Sequence, residues 1–319
     1  MSFPELDGWV YDPIAGETDT ALVEVFRELQ TADPQGDRTA QMMRSTLDQL
    51  YDGQRTGRYS WAQLHKTERT HFGTLFEINL RREFDDVIAE GDKLDFRIAG
   101  HDVDCKFSQR LGGWMIPPEA FDELLVVGFA DDTAGEFALG VVRASDLHRR
   151  TAANRDAKVQ LNPAGRSAVR WLQRPGTLPP NVLLSCSEQD ISAIFDQSLS
   201  GQKRLNELFR RVTAQRIGRN TIATVAQQND FMRRVRENGG ARTDLRPEGY
   251  IILGGDYALH RRIAVQLGLP TPLPGEVVSA RIAPTTESHP FHTSLEGTLW
   301  AVVDDDSEVT NPAPVVPYH

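Results

Sequence analysis

Residues 94–107, LDFRIAGHDVDCKF, contain two short runs in which apolar and polar side chains alternate. The apolar positions are Leu94, Phe96 and Ile98 in the first run, and Val103, Cys105 and Phe107 in the second. A period of two is typical of a β-strand with one buried face. Because residues 99–102 between the runs include a glycine and an aspartate, which favour turns, we predict a β-hairpin.

The second strand of this hairpin carries side chains that suit metal-dependent chemistry. Asp104 and Lys106 are two residues apart and therefore share a strand face, and Asp95 lies on the partner strand. Mg²⁺ prefers carboxylate oxygens, and a metal ion with a nearby cation promotes phosphodiester hydrolysis. The arrangement resembles the PD-(D/E)xK nuclease site, which Glu77 on a predicted upstream helix can complete. Taken alone, the short Asp-x-Lys pattern is equally compatible with a surface ion pair.

Outward from the hairpin, the first half of the chain has the pattern of helices followed by sheet. Apolar spacing predicts helices over residues 38–51 and 62–89, and apolar runs predict strands over 124–130 and 137–144. A short helix is expected to begin at Asn162-Pro163, since asparagine caps helices and proline suits the first helical position.

The clearest boundary lies at residues 174–181, RPGTLPPN, where three prolines and a glycine disfavour both helix and sheet. A chain of 319 residues is also longer than one hydrophobic core usually organises. We therefore expect a first domain over residues 1–172, a linker over 173–181 and a second domain over 182–319.

The second half of the chain is locally basic. Residues 201–247 contain eleven Lys and Arg against four Asp and Glu, although the whole chain has a net charge of −10. We predict helices over 202–213 and 230–238, the latter capped by Asp230, and a strand over 250–255. Residues 221–227 are compatible with a strand or a helix. The local charge favours a polyanionic partner.

Composition excludes several classes of protein. Two cysteines are too few for a disulfide framework, and no apolar run approaches the length that spans a bilayer. The N-terminus lacks the layout of a signal peptide, so we expect a cytoplasmic protein without a membrane partner. The sequence has neither a Walker A loop nor a dinucleotide fingerprint, and we expect no nucleotide cofactor.

Four stretches, in the same order along the chain, resemble the NaeI family of type II restriction endonucleases. They are residues 46–84, 99–107, 151–158 and 225–254. The resemblance implies an N-terminal α/β endonuclease domain of the PD-(D/E)xK kind, with a mixed sheet flanked by helices. It also implies an α+β C-terminal domain with a winged-helix, helix-turn-helix-like fold that binds DNA.

The resemblance further implies a Mg²⁺-dependent, homodimeric enzyme that cuts double-stranded DNA. Family members cut a GC-rich palindrome, GCCGGC in the type member, and leave blunt ends. Cleavage is stimulated by a second DNA copy on the C-terminal domain, so each protomer would bind two. By position, the expected catalytic residues are Glu77, Asp95, Asp104 and Lys106, and the three acids are the expected metal ligands.

Further polar side chains are candidates for contact with DNA. In the first half, Arg55 is the last residue of a possible turn over residues 52–55, and the loop after Lys106 offers an arginine, the side chain that best reads guanine. Phosphate contacts position a protein without specifying sequence, so not every candidate is expected to reach a base. The candidates are Arg55, Ser108, Gln109, Arg110, Asn154, Arg155, Gln227, Gln228, Arg233, Arg234, Arg236, Asn238 and Arg242.

Two other functions fit the same residues. The first is a repair or nicking nuclease of the same superfamily, which would leave nicks or cut only damaged DNA. The second is a non-catalytic DNA-binding regulator, in which the Asp104 and Lys106 site would be vestigial.

Overall fold

The computed structural model describes residues 14–235, 239–304 and 311–318. The α-helices are α1 (Thr20–Ala32), α2 (Asp37–Tyr51), α3 (Gly53–Thr56), α4 (Lys66–Glu83), α5 (Pro163–Ser167), α6 (Glu188–Ile194), α7 (Gly201–Arg211), α8 (Arg219–Ala226), α9 (Ala241–Leu245) and α10 (Ala258–Gln266). The strands are β1 (Ile88–Glu90), β2 (Phe96–Ile98), β3 (His101–Phe107), β4 (Leu124–Asp131), β5 (Glu136–Arg143), β6 (Arg170–Thr177), β7 (Arg216–Ile217), β8 (Tyr250–Gly254), β9 (Val277–Pro284), β10 (Thr293–Leu295) and β11 (Thr298–Val302). Within the described ranges, no helix is long and apolar enough to cross a membrane.

The chain folds as two compact units. The first unit contains the chain up to residue 50 together with residues 65–179, and the second contains residues 51–64 together with the chain from residue 180 onward. The chain finally leaves the first unit between residues 179 and 180, which lie inside the expected linker. Residues 51–64, which we expected in the first domain, belong to the second unit because α3 packs against α8.

The first unit has a mixed α/β fold in which helices flank a central sheet, as the sequence predicted. Its strand order is β1-β2-β3-β4-β5-β6, and every pair is antiparallel except β3 and β4, which are parallel. Helix α4 packs against β3, and α1 packs against β5 and β6. The central strands β4 and β5 are buried almost throughout, which explains their continuous apolar runs.

The predicted hairpin is confirmed, with a tighter turn than expected. Strands β2 and β3 pair from Phe96 opposite Val103 to Ile98 opposite His101. Only Ala99 and Gly100 connect them, and both have positive φ, 49° and 84°. Two consecutive residues with positive φ form the tight hairpin turn whose twist matches that of the paired strands. Gly100 adopts a positive φ without steric cost.

The predicted helices of the first unit are also present, with shorter bounds in one case. Helix α2 matches the prediction, whereas the stretch over 62–89 contains a 3₁₀ helix at Trp61–Gln63, then α4, and then β1. Asn162 caps α5, with its side chain accepting a hydrogen bond from the Gly165 N–H, and Pro163 occupies the first turn as predicted.

The expectation that residues 174–181 exclude regular structure is wrong for their first half. Residues 174–177 continue β6, which pairs with β5. The sheet tolerates Pro175 because β6 is its edge strand, where one side needs no ladder hydrogen bond. The register with β5 is also irregular between Phe137 and Leu139, which leaves Pro175 outside the regular pairing.

The second unit combines helices with a five-stranded sheet among its described residues. Strand β9 pairs antiparallel with β7, β8 and β11, and β10 extends the sheet beyond β11. One apolar core lies under α7 and α8, and another lies between α10 and the sheet. Residues 221–227, which the sequence left open, are helical in α8 up to Ala226.

The predicted helix over 230–238 is wrong in its described part. Residues Phe231–Val235 form a 3₁₀ helix, while 236–238 lie outside the described residues. In this 3₁₀ helix, Phe231 and Met232 pack on the core of the second unit and Val235 is buried. These tertiary contacts compete with the intrinsic preference for an α-helix. The next α-helix, α9, begins only after Gly240.

Candidate functional site

Strand β3 fixes the candidate residues within the central sheet. It lies between β2 and β4, so hydrogen bonds hold its backbone on both sides. The pairing of Phe96 with Val103, continued by one residue, sets Asp95 opposite Asp104. Asp95 precedes β2 directly, and Asp104 is only 4% exposed. The hairpin therefore brings two carboxyl groups to one place.

Lys106 links the two acids. Its Nζ lies 2.6 Å from Asp104 Oδ2 and 3.6 Å from Asp95 Oδ2, and it donates a hydrogen bond to the Cys105 carbonyl at 2.8 Å. The Cys105 N–H donates to Asp95 Oδ2 at 2.8 Å, which fixes that carboxylate from the backbone. The three polar side chains singled out in the hairpin are thus in direct contact.

Glu77 approaches this group from α4. Two aromatic side chains of the helix, Phe72 and Phe76, pack on Phe107 of β3, with ring centroids 4.4 and 5.2 Å apart. A side chain at Gly128 on β4 would overlap the Phe76 ring, so a glycine is needed for the helix to approach this closely. Burial, and next the charge of Asp95, raise the pKa of Glu77, while Lys106 acts in the opposite direction.

The site holds charges at an energetic cost. Burial raises the pKa of Asp104 to about 6; Lys106 opposes this shift and Asp95 adds to it. Burial by itself would lower the pKa of Lys106, but the carboxylates of Asp104 and Asp95 outweigh it and raise the pKa above its usual value. The lysine therefore stays protonated at neutral pH, beside a carboxyl pair that a further cation would stabilise.

The residues present fit a divalent metal ion. Asp104 Oδ2 is buried and pairs with the Lys106 ammonium at 2.6 Å, so this carboxyl group lies in a desolvated position beside a second acid, Asp95. The described residues contain no group of three His, Cys, Asp or Glu side chains that could hold a metal ion together, so Glu77 does not join Asp95 and Asp104 in the predicted three-acid set. Mg²⁺ is commonly held by one or two carboxylates, with water and substrate phosphate completing its shell, so a pair of carboxyl groups such as this one would be enough to hold such an ion.

Of the DNA-contact candidates in the first unit, Gln109, Arg110 and Arg155 are exposed. Ser108 leaves β3 directly, and its hydroxyl bonds the N–H and the carbonyl of Arg110, which shapes the loop. The side-chain Oδ1 of Asn154 accepts hydrogen bonds from the N–H groups of residues 156 and 158. Asn154 thus builds its own turn, whereas the arginines point outward.

In the second unit, the candidates lie on α3 and on the chain that follows α8. Arg55 is exposed on α3 and Arg233 on the 3₁₀ helix, while Arg234 pairs with Asp230 at 3.1 Å. Gln227 ends α8 with a φ of 51°. Gln228 follows it, and both glutamines are half-buried. The sequence pattern did not indicate which chain segment would lie beside them.

The remaining three candidates for DNA contact are Arg242, which has partners within the protein, and two residues outside the described ranges. The Arg242 guanidinium donates to the Ile252 carbonyl at 2.9 Å and to the Tyr318 hydroxyl at 3.1 Å, which gives it structural partners. Arg236 and Asn238 lie outside the described residues.

Two residues near these groups were missed by sequence reasoning. Arg81 lies four residues after Glu77 on α4, acts on its pKa and pairs with Glu90 at 3.6 Å. The spacing of four residues, which places both side chains on one helix face, was the available signal. Gln54 bonds to the chain after α8, and no local pattern indicates this because its partners are more than 170 residues away.

Comparison with known proteins agrees with these observations. A family model described as restriction endonuclease NaeI matches residues 23–311. A curated relative, the type II restriction enzyme NaeI of Lentzea aerocolonigenes, is 48% identical over 308 residues, which cover 94% of this chain and 96% of the relative. The match therefore extends through both units.

Proposed function

This chain belongs to the NaeI family of restriction endonucleases, and from this premise we propose that it is a type II, Mg²⁺-dependent, site-specific deoxyribonuclease. The observation that carries the proposal is the contact of Lys106 with Asp104 and Asp95 on neighbouring strands. The first unit, in this proposal, is the endonuclease domain.

Asp95 and Asp104 would hold the metal ion, and Glu77 would act as a third acid through a water molecule. When bound, Mg²⁺ neutralises phosphate charge and lowers the pKa of water. The Cys105 N–H holds Asp95 in position for this role. The burial of Asp104 beside Asp95 supports it, because a further cation would offset the cost of keeping both carboxylates charged there.

Lys106 would stabilise charge and orient the attacking water. Its raised pKa supports a protonated lysine, which can donate hydrogen bonds to a phosphate oxygen and to water. Because a protonated lysine cannot take up a further proton, it would orient the attacking water rather than deprotonate it. Hydrolysis is expected to leave 5′-phosphate and 3′-hydroxyl ends.

The DNA-facing surface would include exposed residues of the loop after β3. We propose that Ser108 shapes this loop while Gln109 and Arg110 enter a groove, with Arg155 on phosphate. A homodimer matches a palindrome in symmetry, and GCCGGC with blunt cleavage is the expected site. Asn154 Oδ1 and the Nε and Nη1 atoms of Arg242 have partners within the chain, so we rank these two predicted DNA contacts below the exposed arginines.

The second unit would bind another DNA copy and stimulate cleavage. The order of its elements supports a winged-helix fold: helix α7, short strand β7, helix α8, a further helical segment, and paired strands β8 and β9. Arg55, Gln227, Gln228, Arg233 and Arg234 are its proposed DNA contacts. The basic stretch over 201–247 supports this assignment.

A plasmid digest tests the activity. Unmethylated plasmid DNA of known sequence is incubated with the protein and Mg²⁺, and the ends are mapped. Discrete double-strand fragments with blunt ends at GCCGGC are expected, and EDTA should abolish them. Nicks alone, or cutting confined to damaged DNA, would instead favour a repair or nicking nuclease, and binding without cleavage a regulator.

A further inference from the structure

The second unit contains a segment that comes from the first half of the chain. Residues 51–64, here called the connecting segment, are anchored in it by Tyr59, which stacks on Phe195 with ring centroids 5.5 Å apart. Asn181 Nδ2 donates a hydrogen bond to the Tyr59 carbonyl at 2.7 Å. A side chain at Gly53 would overlap the Thr224 hydroxyl of α8, so the two backbones pack without room for one. The segment is therefore an integral part of the second unit.

Gln54 of the connecting segment contacts the turn after α8. Its side-chain Nε2 donates to the Gln228 carbonyl and to Asn229 Oδ1, both at 3.2 Å. A Cβ at Gly57 would lie 3.1 Å from Gln227 Nε2, so this glycine also approaches the turn. The connecting segment thus borders residues 227–229, two of which are proposed DNA contacts.

Both ends of the connecting segment continue into helices that contribute to the first unit. Helix α2 ends at Tyr51 and α4 begins at Lys66. The two helices are joined inside the first unit, where Asn79 Nδ2 donates to Thr46 Oγ1 at 3.0 Å and to Gln49 Oε1 at 2.9 Å. Because α4 also carries Glu77, the connecting segment leads along the chain into the helix that supplies a proposed catalytic acid.

We propose that the connecting segment couples DNA bound at the Gln227–Asn229 turn to the placement of α4 in the nuclease unit, with Gln54 as the positioning residue. This inference rests on the proposed function, for which it supplies a physical route of stimulation. DNA bound at the turn would change the strength of the Gln54 hydrogen bonds to it. The connecting segment would then have a different free energy with and without this DNA. A ligand can shift a conformational equilibrium only through such a difference.

Stimulated cleavage measures the coupling. A substrate with one site is cut by the full-length protein with and without a short duplex containing GCCGGC, and the ratio of the two rates is recorded. Gln54→Met keeps the length of the side chain but removes both hydrogen bonds. We expect it to lower the ratio about five-fold, the effect of losing roughly one net hydrogen bond. Gln41→Ala, at an exposed position on α2, should keep the wild-type ratio.

Hydrogen exchange separates this inference from the proposed function. In metal-free protein saturated with the duplex, amide exchange in residues 51–64 and 66–83 should change in wild type and in Gln41→Ala, and much less in Gln54→Met. Thermal unfolding verifies that each variant is folded. If wild type fails to cut DNA but the exchange pattern holds, the nuclease assignment fails and the coupling stands. If Gln54→Met responds as wild type does in both measurements, the coupling is overturned.

Discussion

At the scale of single residues, Lys106 is the side chain whose removal should separate catalysis from binding. Lys106→Ala deletes the cation beside Asp104, and we expect cleavage to fall by about 100-fold or more, the usual effect of losing a charge-stabilising group. Affinity for the cognate duplex, measured by fluorescence anisotropy without Mg²⁺, should persist. Lys93→Ala, at an exposed position in the same unit, is the matched control. Unchanged cleavage by Lys106→Ala would exclude the proposed role.

Asp104 should make metal binding depend on pH. A protonated carboxyl group cannot bind Mg²⁺, and burial raises the pKa of Asp104 to about 6. The rise in thermal midpoint that Mg²⁺ produces in DNA-free protein should therefore be full above pH 7 and diminish below about pH 6. EDTA should reverse it.

Two variants test this assignment. Asp104→Asn should abolish the rise in midpoint at every pH, whereas Asp85→Asn, at an exposed position, should retain it. A rise in Asp104→Asn equal to that of wild type would place the metal elsewhere.

At the scale of secondary-structure elements, His260 joins α10, β8 and the C-terminal residues of the second unit. Its Nδ1 accepts a hydrogen bond from the Gly254 N–H at 3.0 Å, and its Nε2 donates to the Pro317 carbonyl at 3.1 Å. Only a neutral imidazole can accept at one nitrogen and donate at the other. Burial, followed by the charge of Arg242, accordingly lowers the pKa of His260 to about 4.

This depressed pKa predicts a loss of stability in acid. Neutral His260 contributes up to about 3 kcal/mol to the free energy of unfolding. This contribution is present above the unfolded pKa of about 6.5 and is lost as the pH falls towards 4. Urea unfolding should show that His260→Gln is less stable than wild type at pH 7. Between pH 7 and pH 4.5 its free energy of unfolding should fall less than that of wild type. The control His71→Gln, at an exposed position, should show the same pH dependence of the free energy of unfolding as wild type. If His260→Gln also showed the pH dependence of wild type, the assignment would be contradicted.

At the scale of the whole molecule, the proposed palindromic substrate calls for two copies of the proposed nuclease unit. A single protomer presents one Asp104 and Lys106 site, whereas cutting both strands symmetrically needs two. Sedimentation at micromolar concentration should therefore give a species of twice the chain mass of 35.6 kDa. A monomer that remains monomeric on cognate DNA would contradict a symmetric dimer.

The hairpin and its polar face were predictable from sequence because alternation is a local property. A period of two fixes which residues share a strand face, and the tight turn depends only on its own residues. Asp104, Lys106 and Asp95 were therefore identified before any tertiary contact was known. The strand that contains Pro175 was missed, because whether a proline is tolerated depends on its being at a sheet edge.

The sequence by itself determined the hairpin of β2 and β3, the shared strand face of Asp104 and Lys106, and the resemblance to a nuclease family. Only the tertiary structure decided how deeply Asp104 is buried, and hence its raised pKa, because desolvation depends on surroundings that distant segments supply. It also decided that residues 51–64 join the second unit. Their partners Thr224, Gln228 and Asn229 are more than 150 residues away, and no local spacing encodes such contacts.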